Sequence, residues 1–303
     1  MADIQTSPSL SQPMSQPEVD ELLWSTKAQV AEGRFDANDQ QLITQLVEGF
    51  NDTRGMVRLG FAELLGEIGK PATPALIKGL AHHQNPTVRR ACAKTMTLIA
   101  DQTTIPTLVH SLLHDDDTVV QGSVVGALAV MGEAAAPVLL DIVASDDYTD
   151  TAKGLATWGL SFVGTAGANY LYQAVDSDQP EVRSAVIGAL TTLVQENEDQ
   201  QALAMILSGL SDPSAMVRSE AAAALGKLND ATVVPHLTTV LTDKSVDVRK
   251  TAAMAMMKIG DVSAIAPLQN VLDTEADDTL QPVLKLAITQ LQRKQEEEED
   301  GWE

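Results

Sequence analysis

The chain is poor in aromatic side chains, cysteine, basic charge and long apolar runs, and each shortage removes a class of explanation. Four Phe, three Trp and three Tyr in 303 residues leave the core to aliphatic side chains. A composition rich in Ala, Leu and Val suits closely packed helices and fits poorly with a sandwich or barrel. The one cysteine, Cys92, can form no internal disulfide and cannot by itself hold a zinc ion or an iron-sulfur cluster. Twenty basic against 42 acidic residues give a net charge of -22, so the average surface repels phosphate backbones and anionic lipid and argues against a nucleic-acid partner. No apolar run reaches the roughly 18 to 20 residues of a membrane helix. The opening "MADIQTSPSLSQPMSQPEVD" has neither the basic region nor the apolar core of a signal peptide, so a cytoplasmic protein without membrane insertion is expected.

What the chain has instead is a repeat. "VRLGFAELLGEIG" from Val57, "VRSEAAAALGKLN" from Val217 and "VRKTAAMAMMKIG" from Val248 share an opening Val-Arg and apolar residues at helical spacing. The same register finds copies opening at Val88, Val120, Ala152, Val182 and, in worn form, Leu280, at intervals of 30 to 35 residues. Upstream of the copies lie apolar segments such as "PALIKGLAHH" and "PTLVHSLLH", often opened by proline at a first helical position and followed by a polar turn. "NPTVR" at Asn85 and "DPSAMVR" at Asp212 place a capping side chain just before proline. Two helices per unit, with no strand signal, specify an all-α fold, a right-handed α-solenoid of about eight HEAT-like helical-hairpin repeats. The expected organisation is a disordered N-terminal arm over 1-16, a solenoid over 17-295 and an acidic tail over 296-303. Within the solenoid, a capping helix occupies 17-33 and the repeats about 40-292.

With the opening Val as position zero, positions 0, 4, 8 and 11 form one apolar stripe and are assigned to the core. Position 1 is Arg58, Arg89, Arg183, Arg218 and Arg249, with Lys153 once and Gln121 and Gln281 as exceptions. Five residues before the opening, most copies carry an acid: Asp52, Asp115, Asp147, Asp212 or Asp243. A structural ladder of Arg and Asp between adjacent repeats accounts for both columns better than an anion-binding row, so none of these arginines is assigned to chemistry.

Positions 2, 3, 6, 9 and 10 remain to face outward, on helices that usually line a solenoid's concave surface. Half of the few aromatics gather here, between Tyr148 and Tyr172. Trp158 and Phe162 fall at positions 6 and 10 of the middle repeat, one helical turn apart, with Leu155 at position 3. Flanking copies offer small residues at corresponding places, among them Gly126 and Gly188. These features describe an apolar hollow, rimmed by Arg90 and Lys94 on one side and Lys227 and Lys250 on the other. It suits a flat conjugated ligand with carboxylate tails, or a partner's helix. The alternative is a distorted repeat in which Trp158 fills the gap left by Gly154, Ala156 and Gly159. Tyr148, Tyr170 and Tyr172 are assigned to packing.

Other chemistry is sparse. His82, His83, His110, His114 and His236 complete no metal-ligand spacing, and no metal is expected. No His-Glu dipeptide is present, which argues against a di-iron HEAT hydroxylase. Neither a phosphate loop nor a nucleophile elbow occurs, and Cys92 falls at core position 4, where an inert buried thiol is expected. No catalytic residue is assigned.

The "VR..A...L" unit of the copies at Val57, Val182, Val217 and Val248, with Asp before it and "IG" after it in the cleanest cases, resembles the phycobilisome-lyase HEAT-like repeat over about residues 40-292. That family includes the E/F-type bilin lyases of cyanobacteria, which attach or remove linear tetrapyrroles on phycobiliprotein cysteines, and the phycobilisome degradation protein NblB. The arm, capping helix and full repeat array resemble the NblB-like branch. The resemblance implies a bilin such as phycocyanobilin as a ligand that is not permanently bound, and phycobiliprotein subunits as partners. It also implies a hetero-oligomer with a second HEAT-repeat subunit, and a lyase-like role in chromophore attachment, detachment or turnover. It supplies no catalytic motif. The alternative is a non-catalytic scaffold that binds a protein partner on its concave face.

Overall fold

The computed structural model describes residues 14-300, with side chains described through residue 297. Most of the arm expected over 1-16, and the end of the tail expected over 296-303, lie outside the described residues. Every regular element among the described residues is a helix, and the chain divides into two compact units, residues 1-131 and 132-303. The first unit holds α1 (Gln16–Ala31), α2 (Gln40–Glu48), α3 (Gly55–Ile68), α4 (Thr73–His82), α5 (Pro86–Ile99), α6 (Ile105–His114) and α7 (Thr118–Val130). The second holds α8 (Ala136–Ala144), α9 (Asp150–Leu160), α10 (Ala168–Ala174), α11 (Pro180–Asn197), α12 (Gln200–Gly209), α13 (Ala215–Leu228), α14 (Val234–Val240), α15 (Val246–Ile259), α16 (Ile265–Leu272) and α17 (Gln281–Asp300).

α1 opens at Ser15, whose backbone N–H and hydroxyl both donate to the Glu18 carboxylate at 2.7 Å. From α2 onward a short first helix alternates with a second helix, and the second helices α3, α5, α7, α9, α11, α13, α15 and α17 carry the eight repeat copies. Pro74, Pro106, Pro137 and Pro235 sit at the second position of their first helices, where a missing N–H costs nothing. Three first helices are entered through a 3-10 turn whose aspartate accepts an N–H two residues on, at Asp101, Asp230 and Asp261. Asp101 also accepts a bond from the buried Thr73 hydroxyl of the preceding repeat, at 3.1 Å.

Positions 4 and 8 are buried in all eight copies, from Phe61 and Leu65 to Leu284 and Ile288. The buried stripe is wider than the sequence period suggests. Position 7 is buried in every copy as well, and from Ala127 onward it holds only Ala or Gly. Position 9, expected to face outward, is mostly drawn into the seams, because second helices meet each other through small residues. A Cβ added at Gly226 would lie 2.7 Å from the Cβ of Ala255, and Leu98 lies 3.1 Å from the Cβ position of Gly66.

The ladder is present in part: Asp52 is held by Arg54 of its own turn and Lys153 meets Asp146 of its own repeat, while four rungs join adjacent repeats. Arg89 grips Asp115, Arg183 grips Asp212, Arg218 grips Asp243 and Arg249 grips Glu275, each through two nitrogens at 2.7–2.9 Å. The remaining guanidinium nitrogen turns back to the carbonyl six residues earlier, as Arg218 does to Asp212 at 2.8 Å. Gln121 and Gln281 keep that backward bond, to the carbonyls of Asp115 and Glu275. Asp212 is therefore a ladder acceptor rather than a cap, and α13 has Ser214 at its N-cap. Asn85 does cap α5, accepting from the Thr87 N–H at 2.9 Å.

Candidate functional site

The repeat departs from its pattern at α9. This second helix has 11 residues, where those before it, α3, α5 and α7, have 14, 14 and 13. Thr149 opens α9 by accepting from the Ala152 N–H, and the helix stops at Leu160. The next N–H groups tighten into i-to-i-3 bonds, Ser161 to Trp158 at 3.2 Å and Phe162 to Gly159 at 3.0 Å. Phe162, expected at a helical position, thus stands in a turn beyond the helix end. Gly159 weakens the last turn, and Gly164 takes a positive φ of 60° that redirects the chain.

The turn keeps the two rings together. Trp158 and Phe162 meet edge to face, with centroids 5.5 Å apart and planes at 86°. They remain 47% and 54% exposed, a large fraction for rings in a chain so short of aromatics. Leu155 is half-buried beside them, Ala156 and Gly159 are buried beneath, and the space above Gly154 is open. An edge-to-face pair of this kind offers one ring face and one ring edge to a planar ligand.

The flanking residues differ from expectation. The space above Gly188 on α11 is taken by Glu220 of α13, whose Oε1 lies 3.0 Å from the Cβ position. Glu220 also pairs with Lys227 at 3.6 Å, so this lysine has an internal partner. Lys250 is exposed on α15. Tyr172 donates to Asp199, and burial with that bond pushes its phenol up to about 12, consistent with a packing role.

In the first unit, Arg90 and Lys94 line a trough of about 560 Å³ between α3 and α5, with Leu59 and Leu98. Gly126 on α7 has open space where a Cβ would stand. The trough was missed from sequence because every position-1 arginine was assigned to the ladder. Arg58, which also lines it, has His83 where the next repeat would carry its acid, and that departure was the available signal.

The rings of His110 and His114 lie 4.7 Å apart, yet among the described residues no group of three or more His, Cys, Asp or Glu is placed to hold a metal ion. Cys92 is fully buried, and burial pushes its thiol well above the usual range. No described helix is by itself long and apolar enough to cross a membrane.

Residues 73-161, 168-248 and 203-288 match the family described as HEAT repeats. The bilin biosynthesis protein MpeU of Synechococcus sp. (strain WH8020) is 36% identical over 217 residues, which cover 72% of this chain and 73% of that protein. Among solved structures, Kap121p is similar over 93% of this chain and 44% of its own, at 12% identity and a TM-score of 0.47. Human deoxyhypusine hydroxylase is similar over 91% and 96%, at 19% identity and a TM-score of 0.37. With HEAT repeats matched across most of its length and a bilin biosynthesis relative at 36% identity, the chain belongs to the phycobilisome-lyase HEAT-like repeat family.

Proposed function

We propose that this protein handles bilin in the cytoplasm, holding a linear tetrapyrrole, or the phycobiliprotein helix that presents one, against the Trp158–Phe162 pair at the end of α9. The observation that carries this is the half-exposed pair itself, beside open space at Gly154. The bilin biosynthesis relative supports the choice of ligand. Covering two half-exposed rings with a flat conjugated body removes apolar area from water and adds ring-ring contact, together worth about 1 to 3 kcal/mol.

The chemistry of attachment or detachment at a cysteine needs little beyond orientation and a proton donor, so a lyase-like solenoid acts mainly by positioning bilin and acceptor thiol. The acceptor thiol comes from the phycobiliprotein, because Cys92 is buried and protonated. A second HEAT-repeat subunit and an NblB-like role in turnover belong to the same proposal.

The test is a titration of purified protein with phycocyanobilin, following visible absorbance and tryptophan fluorescence. Saturable binding that weakens about 5- to 150-fold in Trp158→Ala, with unchanged helicity, is expected from the 1 to 3 kcal/mol above. A flat titration favours the scaffold reading, which exposed Val130 and Met254, at non-core repeat positions, also suit.

A further inference from the structure

We propose that the trough between α3 and α5 is a separate binding site for a small amphipathic carboxylate. Its walls come from the repeat itself. Arg90, Lys94 and Leu98 are spaced four apart on α5 and so share one face, with Leu59 and Ala62 on α3 opposite. From Thr87 to Leu98 the α5 wall runs about 16 Å at 1.5 Å per residue. The volume of about 560 Å³ is in the range that holds a small ligand.

Three cations serve this trough, and none forms an ion pair among the described residues; the carboxylate that feels Arg58, Asp52, is itself held by Arg54. Arg90 and Lys94 form no ion pair and no side-chain hydrogen bond there. Arg58 is the ladder arginine that finds no acid in the next repeat, because His83 occupies that place. Its Nη1 is spent on the Asp52 carbonyl at 2.6 Å, and its Nη2 lies 3.8 Å from the Cβ position of Gly55, which also lines the trough. In a chain with 42 acids and 20 bases, three such cations around one apolar groove set up a local field opposite to that of the rest of the surface.

The groove is also polarised along its length. Arg58 closes the first turn of α3 and Arg90 opens the second turn of α5, so both stand toward the helix N-termini, which add positive potential. Leu98 leans over Gly66 at the other end and closes the floor with apolar surface. An anionic head at the arginine end and an apolar body running toward Leu98 satisfies both halves. A bare anion would gain little from cations exposed to water, and a neutral apolar molecule would leave them unpaired. Both a bilin propionate and an aliphatic carboxylic acid have this chemistry, and the site does not require the aromatic pair of α9.

The test is calorimetric titration of the full chain with decanoate, with acetate, and with phycocyanobilin beside its dimethyl ester. The variants are Arg90→Ala combined with Lys94→Ala, Leu98→Asp, and Trp158→Ala. The first two alter exposed side chains, and circular dichroism checks that they fold. The expected result is one decanoate site whose affinity falls at least tenfold in the double variant and in Leu98→Asp, weakens with salt, and is unchanged in Trp158→Ala, with no binding of acetate at the same concentration. Binding of phycocyanobilin that the double variant and the dimethyl ester both weaken, without decanoate binding, would assign the site to bilin propionates. Absence of both, or binding indifferent to the double variant, or acetate binding as well as decanoate, would overturn the proposal. Because Trp158→Ala reports on the α9 pair and the α5 variants on the trough, failure of one is distinguishable from failure of the other.

Discussion

Arg218 holds Asp243 of the following repeat through two nitrogens, Nε to Oδ2 at 2.7 Å and Nη2 to Oδ1 at 2.8 Å, while its Nη1 returns to the Asp212 carbonyl at 2.8 Å. One buried side chain thus closes its own turn and fastens the next. The two duties are separable, because Gln121 and Gln281 perform the first without the second. Arg218→Gln is expected to keep the backward bond and leave Asp243 without its cation, at a cost of roughly 3 kcal/mol for breaking a buried pair. Urea unfolding followed by circular dichroism measures it, and a loss below about 0.5 kcal/mol would demote the ladder to the level of a surface ion pair.

The ladder also sets an acid limit. Hydrogen bonds from Arg183, Arg218 and Arg249 hold the carboxyls of Asp212, Asp243 and Glu275 below their ordinary values. A carboxyl whose folded pKa is depressed contributes its stability above the unfolded pKa, near 4, and loses it as pH falls through the lower folded value. Urea midpoints are therefore expected to be level between about pH 7 and 5 and to fall below about pH 4. The fall should be shallower in Arg218→Gln, which has one fewer depressed group to protonate.

Much of this was legible before any coordinates, and the parts that were not have physical reasons. The Val-Arg register located all eight second helices and the Arg-acid columns, because a repeat whose unit must cover its neighbour shows the same side chains at the same places. The register could not show that position 7 is buried throughout, since Ala at that position is as compatible with an exposed helix as with a close seam. Phe162 was placed on a helix because the repeat was extended through it, whereas two glycines, Gly159 and Gly164, end the helix early. Gly188 was counted as open space, yet a long side chain from the next repeat, Glu220, reaches across and fills it.

Two glycines separate seam from open face. Gly226 approaches α15 so closely that an added Cβ would meet the Cβ of Ala255 at 2.7 Å and its Cα at 2.8 Å. Gly226→Ala is expected to cost about 1 to 3 kcal/mol, because the obstacle includes backbone. Gly126 lies within α7 and has nothing within 4 Å of its Cβ position. Gly126→Ala should therefore gain about 0.5 to 1 kcal/mol through helix propensity alone. Thermal unfolding of the two variants checks the pair, and a loss at Gly126 would mean that its open space is filled in solution.

Cys92 offers a way to follow one unit at a time. It is the chain's one cysteine, lies in the first unit, and is fully buried, with its Sγ 2.6 Å from the Cβ position of Gly79 and its thiol kept protonated by burial. Because the thiolate is the reactive form, a thiol reagent such as Ellman's should label the native protein orders of magnitude more slowly than the unfolded chain. Labelling then reports opening around α5, while circular dichroism reports helix loss from both units. In a repeat protein, stability is carried by nearest-neighbour interfaces, so damage done in the second unit should fade before it reaches the first. Arg218→Gln is accordingly expected to lower the urea midpoint seen by circular dichroism while leaving Cys92 protection in low urea nearly unchanged. If protection of Cys92 instead falls by the same free energy as the global loss, the two units unfold as one cooperative body, and the nearest-neighbour description fails for this chain.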